Sequence, residues 1–154
     1  MRPLRVYIDT SVIGGCCDPE FAVWSNGLMK DFELGRLIPV ISDLVDEEIS
    51  RAPATVQEIY DDLCELNPER IELTLDIQTL AMRYLTRKIL TKKFLDDAVH
   101  IALATFAKVD VLVSWNFRHI VHYDKIRLFN SVNLEFGFLP LEIRSPKEVT
   151  YHGV

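Results

Sequence analysis

Short apolar runs recur along the chain, and longer segments with a helical repeat separate them. Residues 4–8 and 109–114 are almost continuously apolar, which is typical of strands buried on both faces of a parallel sheet. Residues 71–75 instead alternate apolar and polar side chains. Together these patterns predict strands at residues 4–8, 37–41, 71–75, 109–114 and 139–143.

Apolar residues spaced three and four positions apart predict helices between these strands. In residues 21–34 the apolar repeat runs from Phe21 to Phe32, and Gly35 marks the end of the helix. The predicted helices are residues 21–34, a helix that Ser42 caps and Pro53 ends, and residues 55–66, 76–90 and 94–108. Gly14-Gly15 and Asp18-Pro19 indicate a turn or loop, and residues 115–137 a loop with a helical turn.

Strands that alternate with helices predict an α/β fold, a three-layer α/β/α arrangement with a central, mostly parallel sheet. We expect a single domain over residues 1–154, because the chain is long enough for one core and short for two. Pro39 has no N–H to donate, so its strand is expected to lie at a sheet edge or to start there.

We expect a cytoplasmic protein without membrane contact, because the chain has no run of about 18 apolar residues and no signal-peptide core. The three cysteines, Cys16, Cys17 and Cys64, fit a reduced compartment and have no zinc-binding spacing.

The charge of the chain is unevenly distributed around a net value of −6. Residues 1–77 hold 6 Lys and Arg against 16 Asp and Glu, whereas residues 78–154 hold 11 against 7. The overall sign argues against a general nucleic-acid coat protein. A basic half beside an acidic pocket suits a polyanion bound near cations, although solvated basic helix faces would give the same count.

Polar residues stand where the apolar strands end. Asp9 directly follows the first strand in Val6-Tyr7-Ile8-Asp9-Thr10-Ser11, and Asn116 comes just after the strand that closes at Ser114. Glu48 and Asp97 each lie one helical turn from an apolar residue, so both are predicted to face inward. Since ligands bind beyond the carboxyl ends of parallel strands, we expect Asp9, Glu48, Asp97 and Asn116 to meet there.

Each of these residues also has a simpler explanation when it is taken alone. Asp9 could cap the following turn, and Glu48 or its neighbour Glu47 could be a solvated helix carboxylate. Asp97 could serve the dipole at a helix start, and His100 is interpreted as a packed or surface histidine rather than a ligand. A shared site is favoured because several polar residues face inward at the same end of the sheet.

Other chemistries lack their motifs in this chain. No GxxxxGK[ST] or GxGxxG sequence supports a nucleotide-phosphate loop, and no Gly-x-Ser-x-Gly sequence supports a serine hydrolase. Asp9 is not followed two positions later by the second aspartate that a haloacid-dehalogenase-type phosphatase uses.

The ordered motifs resemble those of PIN domains, the metal-dependent ribonuclease domains found in VapC-type toxins of prokaryotic toxin–antitoxin systems. The resemblance covers roughly residues 4 to 145. It rests on Ile8-Asp9-Thr10-Ser11, Ile41-Ser42-Asp43-Leu44-Val45 leading into Glu47-Glu48-Ile49, Asp97-Ala98-Val99-His100-Ile101-Ala102, and Leu112-Val113-Ser114-Trp115-Asn116-Phe117-Arg118-His119-Ile120.

The resemblance implies an endoribonuclease in which Asp9, Glu48 (or Glu47) and Asp97 hold Mg²⁺ or Mn²⁺. Thr10 or Ser11 would orient the first carboxylate or a bound water. The side chains expected to contact RNA phosphates are Arg118, Lys92 and Lys93.

The resemblance also implies partners: an antitoxin protein and a second copy in a homodimer. The surface expected to bind a partner is the apolar-rich segment of residues 21–32 together with Ile59 and Tyr60.

Asn116 stands where many active members of the family have an aspartate. Its carbonyl oxygen can still bind a metal ion or a metal-bound water, but one negative charge is lost and divalent-ion binding should be weaker. The alternative interpretation is therefore a catalytically weak or inactive PIN-fold module that binds RNA or protein.

Overall fold

The strands of the computed structural model, which describes residues 2–151, form one fully parallel sheet. Its five strands follow the spatial order β3-β2-β1-β4-β5. Their bounds are β1 (Leu4–Ile8), β2 (Leu37–Ser42), β3 (Glu69–Ile71), β4 (Val111–Val113) and β5 (Ile143–Arg144). The three central strands are short and almost wholly apolar because both of their faces are covered.

Within the same residues, eight α-helices cover the two faces of the sheet. They are α1 (Thr10–Gly15), α2 (Ala22–Glu33), α3 (Asp43–Ser50), α4 (Ala54–Cys64), α5 (Leu75–Thr86), α6 (Leu95–Ala107), α7 (Tyr123–Glu135) and α8 (Pro146–Val149). Helices α1 to α4 pack together with α8, and α5 to α7 form the second group. The result is the three-layer α/β/α fold that the alternation of strands and helices predicted.

The direction of the chain across the sheet reverses between β1 and β4. Strands β1, β2 and β3 step outward in one direction, and the chain then returns through α5 and α6 to place β4 on the other side of β1. Val6 to Ile8 pair in register with Val111 to Val113, so the two strands end together. A crevice opens beyond the carboxyl ends of strands at such a switch point, and Asp9 and Ser114 are the residues that follow there.

The prediction of an edge position for the strand of Pro39 was wrong, since β2 lies between β1 and β3. The physical reason is local. Strand β3 pairs only with Val40 to Ser42, so at Pro39 strand β2 has a paired neighbour on the β1 side alone. A residue without an N–H is tolerated where one side of the strand is open.

Several other element boundaries differ from the predictions. The Gly14-Gly15 segment lies in α1 rather than in a loop, and α5 ends at Thr86, followed by Lys88 in a left-handed conformation (φ 62°). Strand β3 overlaps the segment predicted for it only at Ile71, and β5 is shorter than the predicted strand. Residues 115–137 contain the full helix α7. Its Asn133 is buried between Tyr84 of α5, which donates to its Oδ1, and Thr105 of α6, which accepts from its Nδ2.

No helix within residues 2–151 is both long enough and apolar enough to cross a membrane.

Candidate active site

Asp9 occupies the carboxyl end of the central strand and is buried, with 3% of its surface exposed. It is the N-cap of α1, where Oδ1 accepts a hydrogen bond from the Val12 backbone N at 3.3 Å. The Ser11 hydroxyl donates to Oδ1 at 2.6 Å, and the Ser114 hydroxyl donates to Oδ2 at 2.5 Å. Asp9 therefore does cap a helix, and both of its oxygens are held by hydroxyl groups from the two strand ends.

Burial raises the pKa of Asp9, although hydrogen bonds from the two serines and the charge of His100 oppose the rise. An isolated buried carboxylate is costly to keep ionised, and the surrounding donors reduce that cost.

Glu48 faces the same crevice from α3. Its Oε1 accepts from the Thr10 hydroxyl at 2.8 Å and lies 2.6 Å from His100 Nε2. Burial by itself would raise the pKa of Glu48, but the hydrogen bonds and the charge of His100 outweigh it and lower the pKa. Glu47 points away, with its side chain 65% exposed and paired with Arg51. The structure thus places Glu48 in the cluster and Glu47 outside it.

His100, on α6, connects Glu48 to the central sheet and is itself buried. Its Nδ1 lies 2.7 Å from the hydroxyl of Tyr7, which in turn lies 2.8 Å from the hydroxyl of Ser42. Burial opposes the imidazolium form, but the hydrogen bond to Glu48 and the negative charges of Asp9 and Asp97 raise the pKa of His100 overall. This network was not predicted from the sequence; the signal was a tyrosine in a fully buried strand, whose hydroxyl requires a partner.

Asp97 lies in the first turn of α6. Burial raises the pKa of Asp97 to about 6, the charges of Asp9 and Glu48 add to the rise, and His100 and Asn116 oppose it. The adjacent Asp96 is exposed. Since like charges shift a pKa only at close range, Asp9, Glu48 and Asp97 share one electrostatic environment.

Asn116 reaches the cluster through its amide group. Its Oδ1 accepts from the His119 backbone N at 2.9 Å, which closes the turn after β4. A side-chain hydrogen bond from Asn116 lowers the pKa of Asp97, so the amide donates to that carboxylate. Asn116 therefore contacts Asp97 as a donor, and its carbonyl oxygen, the group expected to bind a metal ion or its water, accepts from the His119 backbone instead.

Comparison with known proteins adds to this geometry. No protein-family model and no curated protein matches the sequence. Among solved structures, VapBC2 from Rickettsia felis, bound to a DNA fragment from its promoter, matches with a TM-score of 0.55 and 13% identity, covering 92% of this chain and 98% of that chain. Mycobacterium tuberculosis VapC20, a sarcin-ricin loop cleaving toxin, matches with a TM-score of 0.56 and 12% identity over 89% of this chain and 98% of that one.

The chain has the PIN-like fold of the VapC toxins. This confirms the fold that the ordered motifs predicted. At 12–13% identity the likeness establishes the architecture, and the chemistry has to be argued from the side chains.

Basic residues border the carboxylate cluster of this VapC-like fold. Lys92 and Lys93 are exposed on a short 3-10 helix directly before α6, and Arg118 is exposed in the turn after Asn116. The two segments are held together because the Phe94 and His119 rings pack with centroids 3.8 Å apart. His119 is 9% exposed, and burial together with the nearby Lys125 and Arg118 lowers its pKa. It is a packed ring rather than a phosphate contact.

Carboxylate oxygens are the ligands that Mg²⁺ and Mn²⁺ prefer, and a cation would relieve the repulsion among these three acids. Among residues 2–151, however, no three His, Cys, Asp or Glu side chains are arranged to enclose a metal ion. Mg²⁺ is commonly bound through one or two carboxylates, with water and substrate phosphate completing its coordination. The residues present fit that open type of site, in which Asp9 and Asp97 would be the ligands.

The surface predicted to bind a partner is only partly accessible. Phe32 and Tyr60 belong to the core, whereas Met29 and Ile59 line a cavity of about 430 Å³ between α2 and α4, together with Leu66. Asp62 and Glu65 lie on its acidic border.

Proposed function

We propose that this protein is a divalent-metal-dependent endoribonuclease that cleaves RNA phosphodiester bonds. The observation that carries the proposal is the convergence of Asp9, Glu48 and Asp97 at the switch point of a VapC-type fold, where burial raises the pKa of Asp97 to about 6 and the charges of Asp9 and Glu48 add to the rise. Burial and the neighbouring acids make Asp97 costly to ionise, so a cation is the simplest reason to keep this carboxylate in the cluster.

Each residue of the cluster has a separate role in the proposed site. Asp9 and Asp97 would hold Mg²⁺ or Mn²⁺, with Glu48 facing the same ion or its water. A bound ion of this kind lowers the pKa of a coordinated water and stabilises charge on the phosphate.

The surrounding groups keep the carboxylates in place. The hydroxyls of Ser11 and Ser114 fix the orientation of Asp9. Thr10 and His100 hold Glu48 on the opposite side of the crevice. Such supporting hydrogen bonds normally account for a factor of about 10–100 in metal affinity or activity.

The exposed side chains of Lys92, Lys93 and Arg118 would bind the RNA phosphates that flank the cleaved bond. Their position beside Asp97 and Asn116 puts positive charge at the border of an acidic crevice. Such an arrangement holds a polyanion while the acids hold the cation.

The structural neighbours suggest the biological setting. VapC20 is a sarcin-ricin loop cleaving toxin, and VapBC2 is bound to a DNA fragment from its promoter. We extend this to the present chain as the toxin of a toxin–antitoxin pair, acting on RNA in the cytoplasm, with an antitoxin as its protein partner. The expected homodimer stays a prediction.

RNA cleavage by matched neighbouring variants tests the proposal. Purified protein incubated with structured RNA and Mn²⁺ or Mg²⁺ should cut it, and EDTA should abolish cutting. Asp97→Asn should lose at least about a hundredfold in rate, whereas Asp96→Asn, altered one residue away on the exposed side, should keep its activity. Equal rates for the two variants would contradict the proposed site, as would cleavage that persists in EDTA.

The second candidate function is an RNA- or protein-binding module that does not cleave. It is favoured by the role of Asn116, which supplies a hydrogen-bond donor where an acid is expected, and by the lack of a three-ligand enclosure within residues 2–151. Retained RNA binding with neither cleavage nor Mn²⁺ binding would establish it.

A further inference from the structure

An aromatic cavity lies next to the carboxylate cluster and has no role in the proposed chemistry. It encloses about 210 Å³ and is lined by Glu20, Phe21, Trp24, Trp115, Phe117 and Lys147. Four of its six lining residues are aromatic, and one carries a positive charge.

The rings of this cavity are held in a fixed arrangement. Phe21 stacks on Trp115 with centroids 4.2 Å apart and an interplanar angle of 19°. Trp24 and Phe117 each meet Trp115 edge-on, at 6.3 Å and 6.1 Å. The Trp115 indole N–H donates to the buried Ser25 hydroxyl at 2.8 Å, which fixes the ring. The cavity is therefore organised before any ligand arrives.

The cavity is joined to the carboxylate site through the backbone of Trp115. The Trp115 N–H donates at 2.9 Å to the Ser11 hydroxyl, which in turn donates to Asp9. The next residue, Asn116, contacts Asp97. Phe117 directly follows Asn116, and successive Cα atoms are about 3.8 Å apart. Phe117 is therefore close enough to the acids for one short stretch of RNA to reach both.

Phe117 is the exposed wall of the cavity, with 49% of its surface accessible. A large ring left half in water beside a polar site contributes little to the core, so it is available to a ligand. On the opposite wall the Lys147 ammonium lies 4.2 Å from the centroid of the Trp24 ring. Exposed aromatic rings with a nearby cation are how proteins bind single-stranded nucleic acids, the rings stacking on bases and the cation attracting phosphate.

We infer that this cavity binds one unpaired nucleobase of the RNA, next to the phosphate at the carboxylate cluster. The base stacks on Phe117, and Lys147 neutralises an adjoining phosphate. The Glu20 carboxylate on the border accepts a hydrogen bond from an exocyclic amino group. The position relative to a cleaved bond rests on the proposed ribonuclease function, whereas the base site itself does not.

Binding without catalysis separates this inference from the proposed function. A short single-stranded RNA carrying 2-aminopurine is titrated with the wild-type protein in EDTA, and quenching of the probe reports stacking. Phe117→Ala should weaken binding about tenfold and remove the quenching. Phe117→Trp should restore both, because any large planar ring stacks. Leu139→Ala, which truncates an exposed apolar side chain elsewhere, should change neither.

The outcomes for the two proposals are distinct. Quenching that depends on Phe117 in a protein that never cuts RNA would support the base site and contradict the ribonuclease. Efficient cleavage together with wild-type affinity and quenching in Phe117→Ala would overturn the base site and leave the ribonuclease intact.

Discussion

Burial raises the pKa of the Asp97 carboxyl group, and the charges of Asp9 and Glu48 add to the rise. Its pKa of about 6 in the fold exceeds the usual value of 3.8, so the folded state binds the proton more tightly than the unfolded chain does. Ionising Asp97 therefore costs stability. The cost is absent below about pH 4, grows between pH 4 and 6, and is complete above pH 6.

Because ionising Asp97 lowers stability as the pH rises, the metal-free protein should be stabilised by removing this charge. In EDTA, Asp97→Asn should melt at a higher temperature than wild type at pH 7.5, and the difference should vanish near pH 4. Asp96→Asn should show no such gain at any pH, because Asp96 is exposed at the helix start. Thermal denaturation across pH 4–8 measures this. A difference between Asp97→Asn and wild type that does not change with pH would contradict the shifted pKa.

The positions of the three site carboxylates could be predicted from the sequence because they follow from its hydrophobic periodicity. Asp9 follows a buried strand, and Glu48 and Asp97 fall on inward helical phases, so their convergence was predictable. The direction of the Asn116 amide was not, because the turn that uses its Oδ1 depends on the His119 backbone. The bond between Glu48 and His100 joins residues 52 positions apart, beyond the reach of local patterns.

Helix α1 shows how tertiary contacts override local signals at the scale of an element. Two adjacent glycines favour a turn, yet Gly14 and Gly15 end this helix. A Cβ on Gly15 would lie 2.5 Å from the Ser25 hydroxyl oxygen and 2.6 Å from the Trp115 indole nitrogen. Gly15 is thus required by the close approach of Trp115, the same ring that organises the aromatic cavity.

Matched alanine variants of the two glycines test this explanation. Gly15→Ala should lower the free energy of unfolding by about 1–3 kcal/mol, because Ser25 and Trp115 must move. Gly14→Ala has open space within 4 Å and should be neutral or stabilise by up to about 1 kcal/mol, since alanine favours a helix. Urea denaturation of both variants is the measurement. Equal effects on stability would show that the ring contact does not select glycine.

The remaining elements divide into those that the sequence periodicity predicted and those that depend on contacts in the folded chain. Strongly periodic elements such as α2 and α6 matched their predicted ranges to within a residue or so. Helix α7 was missed because its Phe129 and Asn133 pack against α5 and α6 only in the folded chain. Strand β5 is two residues long, and its pairing with β4 defines it rather than its own sequence.

For the whole molecule, the uneven charge along the sequence has a spatial counterpart. The acidic first half supplies Asp9 and Glu48 through β1 and α3, and the more basic second half supplies Lys92, Lys93 and Arg118. The reversal between β1 and β4 brings the two halves together at one crevice. A net charge of −6 is therefore compatible with the proposed RNA binding, because the phosphates would meet the basic border rather than the average surface.

Calorimetric titration with Mn²⁺ tests the central claim most directly, that Asp9 and Asp97 bind one divalent cation and that Glu48 faces the same ion or its water. The wild-type protein at pH 7.5 should bind Mn²⁺, and Asp9→Asn, Glu48→Gln and Asp97→Asn should each weaken binding at least about tenfold. Glu47→Gln should bind as the wild type does, because its exposed carboxylate pairs with Arg51. A wild-type protein that binds no Mn²⁺ at millimolar concentration, or three variants that bind it undiminished, would contradict the account.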